Sequence, residues 1–256
     1  MIKQELFGSQ GFLTGLSLTN EELIRIRYFI RNQWLIHIKT IAPAHVNRFD
    51  ELGIDHYHEA SHLLDHHSIW PRKVRLFPKE TFLEFRKMDF FNKLEAVFGS
   101  VEVLYDAWYG GIIWRLVRPN EKNDVGPMHA DAWFMELAEA TAIDESGVDR
   151  YHDTSNLPNN MDRVKIWIGI YVEPGFNGLV YVPGSHLKKY PYHGGAIDGV
   201  RKPVIDFSED SLSPQLFEGK SGDALIFHDN LLHKGAVNKG SQTRVSIEFT
   251  ILVKQQ

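Results

Sequence analysis

The chain is predicted to be a mainly β protein: a double-stranded β-helix (jelly-roll or cupin-like) core, flanked by helices from its N-terminal part. Three observations lead there. Residues 1–100 carry apolar side chains near helical spacing, whereas from Val101 onward they fall in short runs rich in β-branched and aromatic residues. Candidate strands then follow one another with turn residues between them, the pattern of a barrel or sandwich with helices packed against it. At 256 residues the chain can bury one sizeable core, and β-rich architectures of this length are often one domain. The expected organisation is therefore a single domain over 1–256, helical to about residue 100 and jelly-roll from 101 to 256.

In order along the chain, Asn20 is placed to cap a helix through EELIRIRYFIRNQWLIHI, where Leu23, Ile26, Phe29, Ile30 and Trp34 recur near helical spacing. A second helical stretch is expected over 45–66, ending before Trp70-Pro71, because a residue preceding proline is driven out of the helical region. Two short helices are expected over 78–98, closed by Gly99. The expected strands are VEVLYDAWY, GIIWRLVRP, VKIWIGIYVE, GLVYVP, ALIFH, LLHKGA and RVSIEFTILV. Gly222-Asp223 reads as a tight turn before ALIFH, and Pro183-Gly184-Ser185-His186 as a turn at the mouth of a pocket. Residues 136–162 read as a long insertion, either a functional lid or a solvated surface excursion.

Composition narrows the chemistry. The chain has no cysteine, which excludes disulfides, thiolate zinc sites and iron–sulfur clusters and leaves histidine and carboxylate as metal ligands. With 33 acidic against 28 basic residues the formal charge is −5, so there is no electrostatic footprint for nucleic acid. The first residues lack the basic-then-apolar pattern of a signal peptide, and no apolar run approaches membrane-spanning length. A cytoplasmic location is expected, with neither a nucleic-acid nor a membrane partner.

One constellation stands out. A strand turns alternate side chains to one face, so His129 and Asp131 can grip an ion from a single strand. His233, from a distant strand, completes a 2-His-1-carboxylate set, the mark of non-haem Fe(II) oxygenases with open positions for O2 and a bidentate co-substrate. Arg244, eleven positions after His233, offers a planar fork for the far carboxylate of a dicarboxylic acid, which points to 2-oxoglutarate. His228 is the rival third ligand, sixteen positions before Arg244.

With His129-Ala130-Asp131, Pro183-Gly184-Ser185-His186, Gly222-Asp223 and the His233/Arg244 pair, residues 105–252 resemble the phytanoyl-CoA-dioxygenase-like branch of the Fe(II)/2-oxoglutarate-dependent oxygenases. The resemblance implies that His129, Asp131 and His233 hold iron and that Arg244 binds the C5 carboxylate of 2-oxoglutarate. It also implies O2 as second co-substrate, with succinate and CO2 released. Halogenating relatives carry a small residue in place of the acid, so Asp131 points to hydroxylation or another oxidation.

Other residues admit two readings each. Lys165 and Trp167, at i and i+2 on an expected strand, either help hold 2-oxoglutarate or substrate, or are a rim lysine and a core tryptophan. Arg115, inside the apolar run IIWRLV, is costly to bury unpaired; it meets either a ligand carboxylate or an acidic neighbour. Trp133 lines the pocket or packs. His58, His62 and His66 would stack on one helical face, and His58-Glu59-Ala60-Ser61-His62 matches the HExxH pattern of zinc hydrolases. A non-catalytic, cupin-like metal- or sugar-binding barrel is the remaining alternative. The candidate pocket side chains suggest a small polar or anionic substrate, such as a sugar acid, an amino acid or a natural-product intermediate.

Overall fold

The computed structural model describes residues 2–103, 105, 111–139, 160–197 and 200–255. A short helix, α1 (Ile2–Phe7), and a two-residue strand, β1 (Phe12–Leu13), precede the long helix α2 (Asn20–Ile41). Thr19, rather than Asn20, caps α2. Glu22 N–H donates to Thr19 Oγ1 at 3.2 Å, and Thr19 N–H donates back to Glu22 Oε2 at 2.7 Å. This capping box needs a glutamate three positions after the hydroxyl; Thr19 has one, whereas Asn20 is followed at that spacing by Leu23. Leu23, Ile26, Ile30, Trp34 and Ile38 form the buried stripe of α2.

The expected single helix over 45–66 is instead broken into pieces. α3 (Val46–Leu52) stops at Gly53, whose φ of 80° no helix accommodates, and α4 (Tyr57–Ala60) and α5 (His66–Ile69) follow with single 3-10 turns between them. Tertiary contacts compete with helical hydrogen bonding here. His58 N–H donates to Thr243 Oγ1 at 3.1 Å, and Thr243 N–H donates to Asp55 O at 2.7 Å, tying this segment to the loop before the last strand. Tyr57 is fully buried, stacked on Phe49 and edge-on to Trp34 and Trp70. α6 (Arg72–Arg75), α7 (Lys79–Arg86) and α8 (Asp89–Phe98) complete the layer, and Gly99 closes α8 at φ 80° as anticipated.

The strands form two facing sheets. The larger contains β1, β2 (Val101–Glu102), β3 (Ile113–Val117), β4 (Met161–Tyr171), β9 (Ala224–His228) and β11 (Arg244–Lys254), in the order β1-β9-β4-β11, with β3 and β2 sharing the far edge of β11. The smaller contains β5 (Leu179–Tyr181), β8 (Gln215–Leu216) and β10 (His233–Gly235), with β5 central. A separate hairpin, β6 (Tyr192–Ile197) with β7 (Val200–Ile205), lies beside helix α9 (Ala132–Glu139). The strand expected over 101–109 is seen only at Val101–Glu102; residues 104 and 106–109 of that reading, and 140–159 of the insertion, lie outside the described residues.

Alternation along β4 and β11 makes the large sheet two-faced. Val164, Ile166, Ile168 and Ile170 of β4 and Val245, Ile247, Phe249, Ile251 and Val253 of β11 join the helices in one apolar core. The opposite face carries Arg163, Lys165 and Trp167 with Arg244, Ser246, Glu248 and Thr250, and looks toward the small sheet. This sandwich with its helical flank is a jelly-roll core. No helix among the described residues is long and apolar enough to cross a membrane.

The α2 cap is expected to be worth about 1 kcal/mol, so Thr19→Ala should lose about that much stability, read as a lower urea midpoint at unchanged slope. A second expectation concerns acid. Burial pushes both His66 and His228 down from 6.5 to about 4. Below pH 6.5 the unfolded chain therefore binds protons that the folded chain refuses until about pH 4, and stability falls as pH drops through that window. Melting temperature followed by circular dichroism should decline from pH 7 to 5, less steeply in His228→Asn.

Candidate active site

His129 and His233 face each other across a single antiparallel bridge. His129 N–H donates to His233 O at 3.0 Å, and His233 N–H returns the bond to His129 O at 2.9 Å. Each imidazole is then oriented from behind. His129 Nδ1 lies 2.8 Å from Pro127 O, and His233 Nδ1 lies 2.9 Å from Leu231 O. A carbonyl oxygen can only accept, so both Nδ1 atoms carry the proton and both Nε2 atoms present a lone pair. Burial and the neighbouring His233 push His129 down to about 4, so it is neutral at physiological pH.

Asp131 arrives differently from the sequence expectation. His129 is one bridge residue, not part of a continuing strand. The chain turns at Asp131 into α9, with Ala132 N–H on Asp229 O at 3.1 Å and Phe134 N–H on Asp131 O at 3.2 Å. The carboxylate still reaches the imidazoles: Oδ1 is 3.9 Å from His129 Nε2, and Oδ2 is 3.5 Å from His233 Nε2. Donor atoms of His129, Asp131 and His233 all lie within 4.8 Å of one another. Burial works against the Asp131 charge more than any single neighbour favours it, but the Lys165 ammonium, 3.4 Å from Oδ2, together with His233, His129 and Arg163, holds the carboxyl well below its usual range.

Arg244 lies on the same inward face and is 2 % exposed. Its Nη1 donates to the carbonyls of Gly178 and Ala236, while Nε, although buried, has no partner. Two residues on, Ser246 Oγ is also buried without a partner. A Cβ at Gly235 would stand 3.0 Å from Arg244 Nη2, so glycine keeps room beside the guanidinium. Burial pulls Arg244 down to about 10, and it is still protonated at neutral pH. Buried orphan donors call for an acceptor, and a carboxylate suits a guanidinium beside a hydroxyl. The donor set and these orphan atoms fit a divalent metal and a dicarboxylic acid. Ser246 escaped the sequence reading, although strand alternation from Arg244 places it on the same face.

The remaining candidates separate. Lys165 is drawn to Asp131 and also donates to Thr250 Oγ1 at 3.0 Å. Trp167, 3 % exposed, packs between the sheets edge-on to Phe217, with Leu225 and Phe227 beside it. Arg115 pairs with Glu248 on the neighbouring strand. Burial alone would raise Glu248, but Arg115 holds it down at about 2. Trp133 stacks on Tyr192 at 4.3 Å and belongs to a small apolar cluster. His228 points away from His129: strand alternation sends Phe227 inward and His228 toward Phe7 and His186, where its Nδ1 accepts from Asn230 N–H at 3.0 Å. His186 itself is engaged with Gly8 O at 2.8 Å.

The histidine-rich segment does not build a zinc-hydrolase site, because its backbone is not one helix. His58 Nδ1 is bonded to Thr243 Oγ1 at 3.0 Å, and Glu59 pairs with His56. His66, His67 and Asp124 form a second donor cluster, but both oxygens of Asp124 are taken by the Arg118 fork at 2.8 and 3.0 Å.

The family model described as phytanoyl-CoA dioxygenase (PhyH) matches residues 19–246. No curated protein sequence matches. EvdO2 from Micromonospora carbonacea var. aurantiaca, solved with 2-oxoglutarate, superposes with a TM-score of 0.55 at 14% identity, covering 99% of this chain and 89% of that one. The non-haem monooxygenase ThoJ gives 0.55 at 12% identity, covering 99% of this chain and 77% of its own. SnoN, a non-haem α-ketoglutarate-dependent epimerase from nogalamycin biosynthesis, gives 0.51 at 14%, covering 99% and 82%. The structural likenesses show the shared fold, and the family match spans most of the sequence, from α2 into β11. The chain belongs to the phytanoyl-CoA dioxygenase family.

Proposed function

We propose that this protein is an Fe(II)- and 2-oxoglutarate-dependent dioxygenase that hydroxylates a small polar or anionic metabolite. The observation that carries the reading is the convergence of His129 Nε2, His233 Nε2 and the Asp131 carboxylate, with both Nδ1 protons committed to backbone carbonyls. Two imidazoles and one carboxylate suit Fe(II), and such a set leaves positions open. Arg244 and Ser246 would hold the distal carboxylate of 2-oxoglutarate through Nε and Oγ. When bound, the iron supplies the redox chemistry that couples O2 to decarboxylation of 2-oxoglutarate and oxidation of the substrate, releasing succinate and CO2.

The chain's own residues orient and enclose. Phe134 stands edge-on to His129, and Phe227 packs on His233, so the imidazoles are backed by apolar rings rather than water. Arg115 and Glu248, on the inward face, are available to a polar substrate. That EvdO2 was solved with 2-oxoglutarate, and that SnoN belongs to nogalamycin biosynthesis, supports a 2-oxo acid and a natural-product intermediate as ligands. Because SnoN is an epimerase, product analysis must ask whether the substrate gains an oxygen atom, as hydroxylation requires, or only inverts a centre.

The test is anaerobic titration of the metal-free protein with Fe(II) and then 2-oxoglutarate. A weak absorption band near ~500 nm is expected for the chelate. It should vanish in His233→Ala and Asp131→Ala and survive in His228→Asn; no band in the wild type, or no turnover of 2-oxoglutarate to succinate, would leave only a metal- or sugar-binding barrel. Arg244→Leu should raise the 2-oxoglutarate requirement by roughly 100-fold or more, as expected for a truncated buried charge pair. Ser246→Ala should raise it by about fivefold. In both variants Fe(II) affinity should remain near wild type, as read from metal titration.

A further inference from the structure

We infer that Lys165 is a positioning residue that fixes which oxygen of Asp131 faces the metal; the inference rests on the oxygenase reading above. Lys165 of β4 lies directly opposite Thr250 of β11, both on the inward face. The Thr250 hydroxyl accepts from Lys165 Nζ at 3.0 Å and thereby pins the end of an otherwise flexible side chain. From there the ammonium stands 3.4 Å from Asp131 Oδ2, with side chains only 15% and 21% exposed, so water screens the pair weakly. With Oδ2 held, Oδ1 is the oxygen left for a metal. A carboxylate used through one oxygen leaves room for both a bidentate 2-oxo acid and O2, whereas one used through both oxygens takes a further coordination position.

The same strand steadies the backbone of the segment. Arg163, two residues before Lys165, is ion-paired with Asp229, and Asp229 O accepts from Ala132 N–H at 3.1 Å. β4 therefore acts twice on the acid ligand: Arg163 through the turn that carries it, and Lys165 through its side chain. Lys165 acting by direct contact with 2-oxoglutarate is the competing role, and it differs in what happens before any co-substrate is added.

The protein would be loaded with one equivalent of Co(II) in place of iron, and its visible absorption recorded first without and then with 2-oxoglutarate. Lys165→Met and Thr250→Val should both still bind one equivalent of Co(II). Their Co(II) spectra should depart from wild type in the same direction before 2-oxoglutarate is present. The 2-oxoglutarate dissociation constant of Lys165→Met should then rise roughly tenfold or more, as for loss of other residues that orient a ligand. Spectra superimposable on wild type before co-substrate overturn the inference; a loss of 2-oxoglutarate affinity alone would assign Lys165 to the co-substrate instead. A wild type that binds no Co(II), or whose spectrum ignores 2-oxoglutarate, overturns the oxygenase reading itself and this inference with it.

Discussion

The reciprocal backbone bond between His129 and His233 is the constraint on which the rest of the site depends. It consists of one bridge, yet it fixes two side chains at once. In a pair that exchanges both N–H···O bonds the two Cα atoms are held about 5.5 Å apart, and side chains leave the same face. The rings accordingly stand 4.5 Å apart, centroid to centroid. The Pro127 and Leu231 carbonyls then set the tautomers, which turns a pair of adjacent histidines into two lone pairs aimed at one point. His233 is also the first residue of β10, whose pairing with β5 ties the bridge into the small sheet.

The large sheet must satisfy two environments. Its outer face is an unbroken aliphatic and aromatic surface against the helices, and this surface needs the N-terminal layer to cover it: Phe85 and Phe91 pack edge-on and tilted against Phe249 of β11. Its inner face carries charges, each costly to bury alone. Three of them resolve as cation–carboxylate pairs, Arg115 with Glu248, Arg163 with Asp229 and Lys165 with Asp131. Arg244 is different, since its described hydrogen bonds run to carbonyls and its Nε has no partner. That contrast, rather than the mere presence of an arginine, is what supports the role proposed for Arg244 toward an external carboxylate.

Legibility in the sequence followed the range of the interaction. β9, β11 and the helices over 78–98 were readable because their cues are local: alternation, β-branched runs, and a glycine at a helix end. The broken segment after residue 45 was not, because Thr243, nearly two hundred positions away, holds the backbone of His58 and competes with helical bonding. The strands β1, β6, β7 and β8 were missed for local reasons: β1 and β8 have only two residues each, too few for any periodicity to register, and β6 and β7 carry Gly194-Gly195 and Pro203, which argue against a strand. Thr19 was displaced by Asn20 in the sequence reading, although the glutamate three positions on distinguishes them.

At the site, the sequence by itself determined the kinds of donor, two histidines, a carboxylate and an arginine, because residue identity and strand alternation are local properties. The tertiary structure decided which atoms meet. Asp131 leaves the strand for the start of α9 and still converges on the imidazoles, Lys165 turns to Asp131 and Thr250, Arg115 is claimed by Glu248, and Trp167 is packing. Each of these outcomes rests on residues more than thirty positions apart, the turn at Asp131 included, since the Ala132 bond to Asp229 holds it. A buried charge takes the nearest countercharge the fold offers, and that neighbour is a property of the folded chain rather than of any stretch of it.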